Sequence, residues 1–186
     1  MFFRKKEKKK KEFEEIYNLY VDQIFRFAYL KVSSKDEAED ITSQTFAKLW
    51  KRFSKEKKRP KNEKAFIYKT ASNLVIDYYR KTKTKKREDG SSAKKEVPIE
   101  DIVIEDKEMR ADERLVLNAE IAEVKDALSK INRDYQDVII WYYLDELTIS
   151  EIADLLEKPE TSVRVLIHRA LNSLKEEIRR SENPPI

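Results

Sequence analysis

The sequence contains no cysteine, so disulfides, thiol nucleophiles and Cys-ligated zinc are excluded. Its one histidine, His168, cannot build a His-based metal triad. Its one glycine, Gly90, excludes a dinucleotide fingerprint, a Walker loop and a nucleophile elbow, each of which needs several glycines. Long apolar runs are missing as well: the longest, Val138 to Leu144, has seven residues, against the ~20 that span a bilayer. The basic stretch Arg4 to Lys11 has the charge of a signal-peptide start. Glu12, Glu14 and Glu15 stand where its apolar stretch would begin. A cytoplasmic protein is expected, with no catalytic residues, no cofactor and no metal.

Charge of both signs is abundant. Of 186 residues, 40 are Lys or Arg and 36 are Asp or Glu, a net charge of only +4. Scarce Gly and Pro with plentiful Lys, Glu, Leu, Ile and Ala predict helix nearly throughout. Phe13, Ile16, Tyr17, Tyr20, Ile24, Phe27 and Ala28 recur at helical spacing and define a first helix. Ser34 with Asp36 and Glu37 marks the start of a second, reaching about Phe53, with Ala38, Ile41, Thr45 and Leu49 inward. A third helix, roughly Glu63 to Lys81, turns Ile67, Ala71, Leu74, Val75 and Tyr78 toward the core.

Residues 88–113 hold ten acids and four bases with little apolar material, and are read as a linker. The expected organisation is all-α, with a basic tail over 1–12, a first domain over 13–87, the linker, a second domain over 114–181 and a tail over 182–186. The second domain opens with a stripe of Leu117, Ile121, Val124, Leu128 and Ile131. Asp134 is expected to cap the next helix. Thr148-Ile149-Ser150-Glu151 reads as a capping box. Pro159 belongs to a turn before a last helix that buries Val163, Ile167, Ala170, Leu171, Leu174 and Ile178.

The helices on either side of Pro159 have the form of a helix-turn-helix, whose second helix enters the major groove by its N-terminal part. Thr161, Ser162, Arg164, Val165, His168 and Arg169 face away from the apolar stripe. Among them Arg grips guanine, Ser and Thr bond bases or phosphates, and Val touches a thymine methyl. An ordinary helical hairpin is the competing reading. In the first domain, Lys69, Asn73, Asp77 and Arg80 share one stripe opposite the core face, with Phe66, Tyr68 and Tyr79 around it. Cations with aromatics suit nucleic acid, although Asp77 with Arg80 is equally an ordinary helix ion pair. Three clusters, residues 4–11, 51–64 and 80–87, each carry net +6. Asp36, Glu37, Glu39 and Asp40 fan around a helix start and mainly complement its dipole. Phe46, Trp50 and Phe53 lie off the inner stripe, where a partner surface and core packing are about equal readings.

In order along the chain, these segments resemble an extracytoplasmic-function (ECF) sigma factor of the sigma-70 family. Ala38 to Phe46 followed by Leu49-Trp50 is similar to the family's polymerase-docking helix. Ala65 to Leu74 through Asp77-Tyr78-Tyr79-Arg80 resembles its minus-ten segment, and Ser150 to Ala153 with Ser162-Val163-Arg164 and His168-Arg169-Ala170 resembles its minus-thirty-five reader. The resemblance implies that Asp40, Gln44, Phe46 and Trp50 dock on core RNA polymerase, with its clamp helices and flap as contact regions. It implies that Lys57, Lys58, Arg59, Lys61, Lys69, Asn73, Asp77 and Arg80 hold melted minus-ten DNA. Thr161, Ser162, Arg164, Val165, His168 and Arg169 would read duplex at minus thirty-five. An anti-sigma factor that can hold the chain at the membrane is a further implied partner; a small-molecule substrate is not. Glycines frequent in the family are replaced by Glu146, Glu157 and Thr161 or Ser162, and a frequent Ser-Arg pair by Val165-Leu166. A stand-alone helix-turn-helix regulator and a metal-dependent nuclease are the alternatives.

Overall fold

The computed structural model describes residues 2–55, 59–89 and 123–182, and every regular element among them is helical. The chain divides into two compact units. In the first, α1 (Phe2–Val32), α2 (Lys35–Phe53) and α3 (Glu63–Asp89) pack pairwise against one another. Ser34 caps α2 by accepting from the Glu37 N–H at 3.5 Å, with Asp36 and Glu37 in the first turn. Asn62 does the same for α3, its side-chain oxygen taking the Ala65 N–H at 2.9 Å. The apolar stripes then close on one core. Ile24, Phe27, Leu49, Phe53, Ile67, Tyr68 and Val75 are all buried, and each large side chain of this kind contributes about 1.5–3 kcal/mol.

Two boundaries differ from those expected. Residues 2–12 are the first turns of α1 and not a separate tail. Lys and Glu are good helix formers, and Lys8–Glu12 (4.0 Å) and Lys10–Glu14 (3.5 Å) are i,i+4 pairs that favour continuation. Helix α3 likewise runs past Lys81 to Asp89; nothing in its Lys- and Thr-rich end is a breaker. The expected linker from residue 90 onward, together with Leu117 and Ile121, lies outside the described residues.

The second run of helices begins with residues 123–130, here α4. Ala127, Leu128 and Ile131 are buried there; Val124, expected on that stripe, is 45% exposed, Ala127 taking the inner position. Helix α5 (Arg133–Ile139) is capped by Asn132, whose side chain accepts from the Asp134 N–H at 2.8 Å. Asp134 is therefore a first-turn acid and not the cap. Asn132 precedes the helix, where a side-chain oxygen can reach back over the open N–H groups. Helix α5 continues as a π turn over Ile140–Leu144, closed by Asp145 N–H donating to Ile140 O at 3.0 Å. The wider turn puts Ile140 and Trp141 inside and leaves Tyr143 and Leu144 exposed. Helix α6 (Ile149–Leu156) starts on the expected capping box: Glu151 N–H donates to Thr148 Oγ1 at 3.2 Å, and Thr148 N–H donates to the Glu151 carboxylate at 2.9 Å. Helix α7 (Glu160–Glu182) follows Pro159 and packs on α5.

Among the described residues, three take left-handed backbone angles without being glycine: Ser33 (φ 52°), Glu146 (φ 54°) and Glu157 (φ 53°). Glu146 and Glu157 are two of the positions where the sequence resemblance leads one to expect glycine. The turns keep a glycine-type geometry without the residue, at roughly 1–2 kcal/mol each. Glycine itself loses about 0.5–1 kcal/mol of chain entropy. Glu146→Gly is therefore expected to stabilise the second unit by roughly 0.5–1 kcal/mol. A thermal melt checks this, and a lowered midpoint contradicts it.

Candidate nucleic-acid and partner interfaces

Helix α2 turns its inner stripe to the core, which leaves Asp40 and Gln44 on the exposed side, the Gln44 amide donating to the Asp40 carboxylate at 2.7 Å. The aromatic residues divide by depth. Phe46 is 3% exposed and meets the Tyr17 ring edge-on at 4.8 Å, which leaves little of it for the partner contact that the resemblance implies. Tyr17, one helix away, covers it and is itself 40% exposed. Phe53 is buried, whereas Trp50 is 37% exposed and packs edge-on against Phe13 at 5.0 Å. The outward surface is thus Asp40, Gln44 and Trp50, joined by Tyr17. Sequence reasoning assigns Tyr17 to the core because it falls on the α1 stripe, and periodicity does not show how far a stripe's edge is covered.

On α3, Lys69, Asn73, Asp77 and Arg80 are all exposed on one face, and Arg80 pairs with Asp77 at 3.5 Å. Ile76 lies among them, 44% exposed. The aromatics expected around this stripe are engaged elsewhere. Tyr68 is fully buried and donates to Gln23 Oε1 at 3.2 Å. The Tyr79 hydroxyl donates to the Lys31 carbonyl. Phe66 is half-buried with the Arg52 guanidinium 5.9 Å from its ring centre. Burial, with a smaller effect of the Glu37 charge, pushes the Tyr78 phenol above its ordinary range. The face offered to a ligand is accordingly polar apart from Ile76, and bases cannot stack on Tyr68.

Of the basic loop residues, Lys57 and Lys58 lie outside the described residues, and Lys61 is exposed. Arg59 is held by neighbours. Its Nη1 donates to Glu12 at 2.9 Å and its Nε to Glu63 at 3.1 Å, while the guanidinium lies 4.2 Å from the Phe53 ring centre. Burial pulls its pKa down, but the hydrogen bonds and charges of Glu63 and Glu12 outweigh this and raise it overall.

In α7, Val163, Ile167, Ala170 and Leu174 are buried, which leaves Thr161, Ser162, Arg164, Val165, His168 and Arg169 exposed, as their spacing predicts. Arg164 is 3.5 Å from Glu160, and His168 Nδ1 is 3.4 Å from the Asn172 amide. An open groove of about 620 Å³ beside the start of α7 is lined by Tyr142, Thr148, Ser150, Glu160 and Arg164 among others. Among the described residues, no group of three His, Asp or Glu is placed to hold a metal ion, and no helix is long and apolar enough to cross a membrane.

Residues 16–85 match the family model of sigma-70 region 2, and residues 120–174 match that of sigma-70, region 4. The first match contains α2 and the α3 stripe, and the second contains α6 and the exposed face of α7. The chain is 28% identical over 169 residues to the ECF RNA polymerase sigma factor SigW of Bacillus subtilis, covering 90% of this chain and 89% of that one. It is 27% identical over 163 residues to the ECF RNA polymerase sigma factor BldN of Streptomyces coelicolor, covering 87% of this chain but spanning only 58% of the Streptomyces protein. In fold it is similar to the sigma factor RpoE of Bartonella quintana, solved with the anti-sigma factor NepR. That likeness has a TM-score of 0.68 at 20% identity, covering 91% of this chain and 98% of that one. The chain belongs to the sigma-70 family, in its extracytoplasmic-function group, with region 2 matched over residues 16–85 and region 4 over residues 120–174.

Proposed function

We propose that the chain is a promoter-recognition subunit of RNA polymerase, in which three exposed faces do three jobs. Asp40, Gln44 and Trp50 of α2 dock on the core enzyme, with Phe46 supporting them from beneath. Lys69, Asn73, Asp77 and Arg80 of α3, with Lys57, Lys58 and Lys61 nearby in sequence, hold the melted non-template strand at the minus-ten element. Thr161, Ser162, Arg164, Val165, His168 and Arg169 read duplex at the minus-thirty-five element. Capturing an unstacked base costs a few kcal/mol, offset by polar contacts and cations along the backbone. The observation that carries this reading is the presence in one chain of two exposed polar helix faces, α3 and α7, each backed by a buried apolar face. The domain limits proposed are region 2 up to about residue 87 and region 4 from about residue 114. An anti-sigma factor is a proposed partner by analogy with the Bartonella protein.

A net charge of +4 gives only a weak field for phosphates, so the free chain should bind promoter DNA poorly at physiological salt. Core polymerase supplies the alignment of the two units. A gel-shift titration tests this. Micromolar or weaker binding by the chain alone, tightened by core polymerase, is the expected result. Nanomolar binding by a dimer of the free chain to a palindrome would replace this reading with a stand-alone regulator.

A further inference from the structure

The first turns of α1 hold both described ends of the basic loop between α2 and α3. At the near end, Lys9 Nζ donates to the Ser54 carbonyl at 3.4 Å. At the far end, Glu12 accepts from Arg59 at 2.9 Å. Arg59 in turn reaches Glu63 in the first turn of α3 at 3.1 Å and lies over Phe53 in the last turn of α2. One guanidinium therefore touches all three helices of the unit. Its Nη1 and Nε are each engaged by a carboxylate, and one face of its plane lies over an aromatic ring. Two carboxylates beside the guanidinium offset its charge and hold its orientation, which makes it a weaker phosphate ligand than an unpaired arginine.

We infer that Glu12 and Arg59 form a latch by which the N-terminal turns of α1 hold the described ends of the basic loop, making Arg59 a positioning residue for the minus-ten site and not a DNA contact. The inference rests on the promoter-binding reading above for its functional consequence. It gives the Lys-rich N-terminal stretch a structural role, since these turns carry the two side chains that fix the loop. Lys55 and Lys61, exposed at the loop's two described ends, then keep their places relative to α1.

Changing the acid separates this from the alternative by sign. If Arg59 gripped phosphate, Glu12→Gln would remove a nearby negative charge and tighten DNA binding. If the pair is a latch, the same substitution loosens the loop and weakens binding. The experiment titrates the complete polymerase complex onto a fork probe, duplex upstream and single-stranded over the minus-ten element, across a range of salt. Glu12→Gln and Arg59→Gln are each expected to weaken binding about tenfold, as for partners in one network. The slope of log K against log salt should stay unchanged in both. The reversed pair, Glu12→Arg with Arg59→Glu, should recover most of the loss. Unchanged or tighter binding by Glu12→Gln, or a slope shallower by roughly 0.7 in Arg59→Gln, the value for one lost single-strand phosphate contact, would overturn the latch. A second arm uses the free chain: amide exchange at Ser54, Lys55, Lys61 and Asn62 should quicken in Glu12→Gln, and unchanged exchange would overturn it. If the wild-type complex does not bind the fork probe at all, the promoter reading fails, and the exchange arm decides the latch on its own.

Discussion

Asp40→Ala combined with Trp50→Ala is expected to weaken binding to core RNA polymerase by roughly a thousandfold, taking about 2 kcal/mol for each interface anchor. The two side chains differ in what they do for the folded chain, and this makes the double variant informative. Asp40 is exposed and accepts from the exposed Gln44 one turn on, a local contact of the kind that stabilises a helix by a few tenths of a kcal/mol. Trp50 leaves just over a third of its surface to solvent and rests on Phe13. Its truncation removes one edge-on aromatic contact, about 0.5–1.5 kcal/mol beyond area burial. The first unit should therefore stay folded, which circular dichroism verifies, while fluorescence titration with core enzyme reads the loss. Phe46→Ala is the contrast. Its ring is buried against Tyr17, so the main result should be a lower melting midpoint.

The second large effect lies in the core. Phe27 has no exposed surface and meets Tyr68 edge-on at 6.4 Å, at the heart of the three-helix packing. Phe27→Ala should cost about 3–5 kcal/mol, a large share of what a small unit has. The expected outcome is a first unit largely unfolded at growth temperature, with docking and minus-ten binding lost together. The second unit has its own core around Val138, Ile140, Ile152 and Val163. Its melting should be unaffected, and the scan should separate into two transitions. A single transition shifted as a whole would contradict this.

The helix faces were legible because they depend only on spacing along one element. The inward stripe of α2, the polar stripe of α3 and the outward face of α7 all stand where periodicity puts them, and the Thr148–Glu151 capping box forms as written. What needed a second element was not legible. Phe46 is buried because Tyr17 lies across it, 29 positions earlier in the chain. Arg59 looks like a free cation in a basic loop until Glu12, 47 positions away, is brought against it. The π turn at Ile140–Leu144 has no marker in sequence, since it lies inside the chain's longest apolar run, where no polar residue reports a change of face. The cap on α5 stands two positions before the expected one because Asn132 and Asp134 are both able to serve, and only the helix start decides between them.

The most direct measurement of the central claim is transcription in vitro with purified core RNA polymerase on templates whose upstream hexamers are randomised. The expected result is that adding the chain yields transcripts from templates sharing two sequence elements at a fixed spacing, and that the Asp40→Ala, Trp50→Ala variant yields none. Transcripts absent with the wild-type chain, together with no binding of the chain to core enzyme, would contradict it.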